Sequence, residues 1–401
     1  MRKLLLFRLA VIPLRNSVSS LSNGISRRNF AVTTISTTTS GIMSSAEPSS
    51  AASPSANKKA KTCSIPKPLI IAVIGYTGGV GTCLLSAMEK IGLKKPYALV
   101  RSSTMSIDGG AEIPVNFAEL GKRLLEAAES QGGTPVIADV TASADVQNEY
   151  KNWLSKGISV ATANKGIFAG EESKYNELLD SVAFPAKLLH ETSVGAGLPI
   201  LGTINSLRTS SHTIVKVEGV LSGTLAYVLG AVAGGKMTLS EAVANAKELG
   251  YTEPDPRMDL NGMDVARKAV ILARLSGLTG IELEKMDIES LVPKALENCS
   301  VDEFMKGLPA YDTDFAARVA DVEKIPGSRL HYAAKVDVDQ KVVSVGPMAC
   351  DTSHPFNSAG PDNLISITTN LYTRPLVVQG AGAGGDVTAT GVLADILLCR
   401  Q

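Results

Sequence analysis

No aspartate or glutamate precedes Glu47, although Arg2, Lys3, Arg8, Arg15, Arg27 and Arg28 lie in that stretch and Ser and Thr are frequent from Ser17 to Ser45. An acid-free, arginine- and serine-rich N-terminus has the composition of an organelle transit peptide. A secretory signal fits worse, because Arg8 interrupts the apolar stretch Leu4–Leu14 and no clear cleavage box follows. A plain disordered tail is the alternative. Ser44–Pro66, rich in Ala, Ser, Pro and Lys, reads as a flexible linker, so residues 1–64 are expected to be address and tether rather than fold.

Other shortages exclude whole classes of function. Cysteine is scarce and scattered: Cys63, Cys83, Cys299, Cys350 and Cys399 are odd in number and contain no Cys-x-x-Cys, which argues against a disulfide framework and against structural zinc. The 4 histidines show no ligand spacing, so no transition-metal site is expected. Neither charge dominates, with 39 Lys plus Arg against 39 Asp plus Glu, so no basic field points to nucleic acid. No apolar run reaches the ~18 residues a membrane span needs. What remains is 401 residues, 44% hydrophobic, enough for two domains with proper cores.

Residues 65–205 read as a dinucleotide-binding half. Leu69–Ile74 is a continuous apolar run, the mark of a strand buried on both faces. It enters Gly75-Tyr76-Thr77-Gly78-Gly79-Val80-Gly81, and a helix follows from Thr82 to Met88. Glycines at a strand-to-helix turn let backbone N–H groups approach a pyrophosphate. The spacing is Gly-x-x-Gly-x-x-Gly rather than Gly-x-Gly-x-x-Gly, and glycine also makes ordinary turns, so the strand before and the helix after carry the reading. The next strand, Tyr97–Val100, ends in Arg101, 20 residues after Gly81, where an NAD enzyme usually places an acid for the ribose 2′-hydroxyl. An arginine there attracts a 2′-phosphate, which favours NADP with NAD as the second option; a solvent-exposed arginine is the plain alternative. Val136–Val140 is a further strand, and Thr141 at its carboxyl end is an expected cofactor contact. Gly157–Thr162 is another, delivering Asn164 and Lys165, and Leu188–Leu189 enters a glycine-rich turn, residues 190–199.

Residues 206–360 read as an α+β substrate half. Val215–Val220 alternates like a strand and leads to Ser222-Gly223-Thr224, which either caps the next helix or touches a ligand. Thr238 and Glu241 form a capping box that opens a helix ending at Leu249. Gly250–Lys268 follows. Two prolines and two glycines forbid one continuous helix across it, so an acidic loop carrying Glu253, Asp255 and Asp259 is expected to precede a helix from about Gly262. On that helix Asp264 and Lys268 stand at i and i+4 and share a face. A carboxylate beside an ammonium can hold a lysine whose proton is available for transfer, although such a pair is more often a surface ion pair. Residues 361–401 hold two strands and a second glycine-rich helix start, Gly380–Asp386, expected to return to the cofactor.

The pattern Ala246-x3-Gly250-Tyr251-Thr252-x2-Asp255-Pro256-x2-Asp259-Leu260-x-Gly262-x-Asp264-x3-Lys268 resembles the signature of the homoserine dehydrogenases, and the resemblance runs from about Ile70 to the C-terminus. Met258 departs from it, standing where many members carry a second aspartate. The resemblance implies a Rossmann-type doubly wound α/β domain with a second, dimerising α+β domain, and reversible reduction of L-aspartate 4-semialdehyde to L-homoserine by NAD(P)H. It implies Lys268 as proton donor, Asp264 as its brace and Lys165 in support near nicotinamide and substrate. Glu253, Asp259 and Asp264, with Gly250 beside them, would bind substrate, and Gly384 would touch the nicotinamide end. A monovalent cation, commonly sodium, would be held by the Glu191 side chain and the carbonyls of Val194, Ala196 and Leu198. A homodimer is implied, as is a monofunctional enzyme, since the residues after the leader leave no room for a fused kinase. Kinship with plant-type enzymes favours a plastid over a mitochondrion. The rivals are another NADP-dependent semialdehyde dehydrogenase, which needs a nucleophilic cysteine with a base, and a non-catalytic NADP-sensing protein.

Overall fold

The computed structural model describes residues 66–400; the expected transit peptide and linker, with Cys63, lie outside them. The first sheet joins β1 (Leu69–Ile74), β2 (Ala98–Val100), β3 (Thr104–Ile107), β4 (Ile113–Pro114), β5 (Thr134–Asp139), β6 (Ser159–Thr162) and β7 (Leu188–Leu189) in the order β4-β3-β2-β1-β5-β6-β7. The strands from β2 to β7 across this order are parallel, and β3 and β4 form an antiparallel hairpin on the edge. The apolar run of β1 is explained by its two neighbours. Ile70, Ala72 and Ile74 face one core with helix α2 (Phe117–Gln131), while Leu69, Ile71 and Val73 face another with α1 (Gly79–Lys90). This is the expected doubly wound Rossmann-type arrangement. The hairpin β3–β4 is an addition that the sequence reading did not include.

The second sheet joins β8 (Ile214–Val220), β9 (Asp287–Ile288), β10 (Arg329–Asp337), β11 (Val342–Cys350), β12 (Asn363–Thr369) and β13 (Leu376–Gly380) in the order β13-β12-β8-β10-β11-β9. Its pairs are antiparallel except β9 with β11. The helices that matter for the site are α3 (Gly223–Val232), α4 (Leu239–Glu248), α5 (Arg257–Leu260), α6 (Met263–Leu275) and α7 (Gly385–Leu398). The segment 361–401 therefore divides: β12 pairs on β8 and β13 on β12 to complete the second sheet, and α7 alone returns to the first. Ala389, Val392, Leu393 and Ile396 of α7 are buried with Leu84 and Met88 of α1, because small residues at Gly385 and Gly391 let the helix close onto its neighbours. A Cβ at Gly385 would stand 3.2 Å from Cys83 Sγ.

Candidate active site

The chain passes from β1 to β2 on one side and returns to β5 on the other, so a crevice opens at the carboxyl ends of β1 and β5, the place where open α/β sheets take ligands. The glycine loop follows β1 there. Gly75 has φ +88°, and a Cβ on it would come 2.6 Å from the Thr141 methyl, so loop and Thr141 are held side by side. A Cβ on Gly81 would overlap the Gly75 carbonyl, whereas Gly79 has nothing within 4 Å. The loop is thus closed to side chains on its inner face and open at Gly79. Helix α1 begins at Gly79, earlier than Thr82, so Gly79, Val80 and Gly81 form its first turn, and no side chain caps it. Those unclaimed N–H groups suit a pyrophosphate. Tyr76 and Thr77 make the turn itself. Gly384 is the N-cap of α7 with φ 120°, bringing the second glycine-rich helix start beside the first.

Beneath Thr141 lies a buried network that sequence reading missed. Asp139, at the end of β5, accepts from the Thr141 N–H (2.8 Å), the Thr141 hydroxyl (2.7 Å) and the Tyr150 hydroxyl. Tyr150 also bonds Thr162 Oγ1 (2.9 Å), which accepts from the Asn164 N–H at 2.9 Å. A charged residue ending an otherwise apolar strand was the available signal. Burial pushes the Asp139 carboxyl up, and the bonds from Tyr150 and Thr141 pull it back.

Lys165 follows β6 and Lys268 lies on α6, and one carboxylate ties them together. Lys268 Nζ is 2.8 Å from Asp264 Oδ2, and Lys165 Nζ is 3.5 Å from Asp264 Oδ1. Lys268 also donates to the Leu221 carbonyl at 2.6 Å, just past the end of β8. It is 8% exposed. Burial lowers its pKa from the usual lysine value, an effect that Asp264 partly offsets. For Asp264, burial pulls upward, but the two ammonium groups outweigh it and the carboxyl ends below its ordinary range. An ammonium has three N–H donors. Asp264 and Leu221 take two from Lys268, and among the described residues no third partner takes the last.

The acidic stretch is more folded than a loop. Gly250, with φ +72°, ends α4 in a Schellman motif: its N–H donates to the Lys247 carbonyl and the Tyr251 N–H to Ala246. Asp259 lies on the short helix α5, half-buried, where it accepts from the Glu253 N–H (2.8 Å) and the Thr224 hydroxyl (3.2 Å). Burial raises its carboxyl and these bonds oppose the rise. Ser222 does cap α3, accepting from the Leu225 N–H, while Thr224 also donates to the Tyr251 carbonyl at 2.6 Å. Asp255 is taken out of the group: Arg257 holds it at 2.8 Å and donates onward to the carbonyls of Leu296, Glu297 and Cys299.

In the turn after β7 the Glu191 carboxylate is an N-cap in all but position. Its Oε1 accepts from the N–H groups of Ile200 and Leu201, both at 2.6 Å, and Oε2 from Gly202 at 2.7 Å. Val194 and Ala196 are buried, Ala196 has φ 53°, and the Leu198 carbonyl accepts from the Ile200 N–H. Among the described residues no group of three or more His, Cys, Asp or Glu could hold a metal, so a cation here would rest largely on backbone oxygens.

Two family models match the chain: homoserine dehydrogenase over residues 199–397, and homoserine dehydrogenase, NAD binding domain, over residues 77–183. A homoserine dehydrogenase of Emericella nidulans is 39% identical over 82% of this chain and 98% of its own length. The chain belongs to the homoserine dehydrogenase family. Within that family the maize protein named bifunctional aspartokinase/homoserine dehydrogenase 1, chloroplastic, is 45% identical over 65% of this chain, which spans 29% of the maize protein's length. A hyperthermophilic archaeal homoserine dehydrogenase mutant solved in complex with NADPH is similar in fold, with a TM-score of 0.56 and 25% identity over 82% of this chain and 97% of the other. The chain is accordingly an oxidoreductase of CH–OH groups that uses a nicotinamide cofactor, and both rival readings fall. Neither Cys299 nor Cys350 has the surroundings of a nucleophile: Cys299 donates to the Leu296 carbonyl, and burial pushes the Cys350 thiol up to about 12.

Proposed function

We propose that Lys268 protonates the oxygen of L-aspartate 4-semialdehyde as it is reduced to L-homoserine, with Asp264 and Lys165 holding it to that task. The observation that carries this reading is the buried Lys268 ammonium with two donors tied to the protein and one unspent. When bound, the reduced nicotinamide supplies the hydride. The donor of Lys268 meets the negative charge that grows on the substrate oxygen and passes a proton to it, and burial favours the transfer because it weakens the lysine's hold on that proton. Asp264 keeps the ammonium in place and charged. Lys165, a third exposed, is a second donor within reach of the same carboxylate and serves as an anchor for the substrate carboxylate. Glu253 and Asp259 hold the substrate ammonium, Asp259 being aimed by Thr224 and Gly250 setting the chain direction that brings Glu253 round. Gly75 to Gly81, Thr141 and Gly384 hold the dinucleotide, and Arg101 its 2′-phosphate, which makes NADP the preferred form. The archaeal structure with NADPH is in keeping with that preference.

The donor set at Glu191 fits a hard monovalent cation such as sodium: one carboxylate with an acceptor position left on Oε2, and the carbonyls of Val194, Ala196 and Leu198 on a tight turn. Such an ion would brace the turn that leads out of β7, and no step of the reaction passes through it. Assembly as a homodimer and delivery to a plastid complete the reading, the latter supported by the acid-free leader and by the chloroplastic relative; sedimentation and organelle-import assays decide these two. The central test is Lys268→Ala assayed with semialdehyde and NADPH. We expect kcat to fall roughly 10²–10⁴-fold with a far smaller change in the KM for NADPH. Turnover near the parent value refutes the role of Lys268.

A further inference from the structure

Arg101 stands where β2 ends, beside the glycine loop, since the Gly75 N–H donates to the Val100 carbonyl at 2.8 Å. Its guanidinium is already engaged. Nη2 donates to Glu112 Oε2 at 2.6 Å, Nε donates to Thr104 Oγ1 at 2.7 Å, and Thr104 Oγ1 donates to the same Glu112 oxygen at 3.0 Å. Thr104 opens β3 and Glu112 directly precedes β4, so the edge hairpin added to the parallel sheet exists in contact with Arg101. The side chains of Arg101 and Glu112 are 45% and 44% exposed, open to a ligand from solvent.

We propose that Glu112 is a specificity-determining residue for the cofactor. It competes with a 2′-phosphate for Arg101 and accepts a hydrogen bond from the 2′-hydroxyl of the unphosphorylated nucleotide, so the chain favours NADPH less than Arg101 alone would dictate. The proposal rests on the reading of Arg101 as the 2′ contact. A phosphate brings close to two negative charges. To reach the guanidinium it must displace a carboxylate or share the cation with it, and the two anions repel. A 2′-hydroxyl carries a donor that a carboxylate accepts, the role that an acid at the end of this strand plays in NAD enzymes. Thr104 fixes the separation of the two charged groups, so the competition is built into the hairpin.

The test uses the full chain with Glu112→Gln and Arg101→Ala, and reads kcat/KM for NADPH and for NADH at fixed semialdehyde. Glu112→Gln should raise the NADPH-to-NADH ratio roughly two- to fivefold, the size of effect that one partly exposed charge exerts. Glu112→Lys should raise it further, and Arg101→Ala should lower it. If Arg101→Ala lowers the ratio while neither Glu112 variant moves it, the role of Glu112 is overturned and the Arg101 reading survives. If Arg101→Ala leaves the ratio unchanged, the Arg101 reading falls and the proposal with it.

Discussion

Lys268 and Asp264 are one pair in the sequence and one pair in space, and their coupling sets a pH dependence whose sign can be worked out. In the proposed mechanism reduction needs Lys268 protonated, so its rate is lost as pH rises through the lysine's pKa; oxidation of the alcohol needs the free amine and gains over the same interval. Burial lowers that pKa, which places the interval below the usual lysine range, and the Asp264 charge holds it up. Asp264→Asn removes the upward pull. The alkaline limb of kcat for reduction should then move to lower pH, along with the rise for oxidation, and a limb that stays in place would mean that another group titrates. The i, i+4 spacing was legible because helical geometry alone puts the two side chains on one face. Of the partners that raise this pair above a surface ion pair, the Leu221 carbonyl was not legible and Lys165 was named only through the family resemblance, since both arrive from other elements.

Helix α6 is the element on which the site turns, and its start is decided by one glycine. Gly262 has φ +73°, and a Cβ there would run into the hydroxyl of the buried Tyr332, which donates to the Glu289 carbonyl at 2.8 Å. Gly262→Ala should therefore cost roughly 2–4 kcal/mol, combining left-handed strain with a clash that a packed core cannot absorb. A urea midpoint equal to that of the parent would contradict this. Proline and glycine mark this helix start in the sequence alone. The same punctuation misled nearby: Asp255-Pro256 reads as loop, yet Pro256 serves as N-cap for the short helix that carries Asp259. Proline suits the start of a helix as readily as its interruption. The hairpin β3–β4 went unread because its strands have only 4 and 2 residues, too few for the alternation Thr104-Met105-Ser106-Ile107 to stand out, and pair only by extending an existing sheet edge.

At the scale of the molecule, the turn carrying Glu191 links the first sheet to the helix Leu201–Thr209 that leads into the second half. If the turn binds sodium as proposed, the ion would stabilise the folded chain by mass action. Replacing sodium with a large organic cation such as choline at equal ionic strength should lower the Tm by a few degrees, with no such difference in a Glu191→Gln variant. Equal Tm values in the two salts would remove the cation from the account.

Local sequence was enough for whatever depends on neighbours along the chain. The buried apolar run of β1, the glycines that follow it, the capping box at Thr238 and the Asp264–Lys268 face are set by backbone sterics and by periodicities of two and 3.6 residues. Tertiary structure decided what depends on segments far apart. It placed Lys165 on the same carboxylate as Lys268, brought Tyr150 onto Asp139, divided the C-terminal segment between two sheets and bound Arg101 to Glu112. Each of these is a contact between groups that no local rule relates. They meet because the order of the strands and the packing of helices on them bring distant parts of the chain side by side.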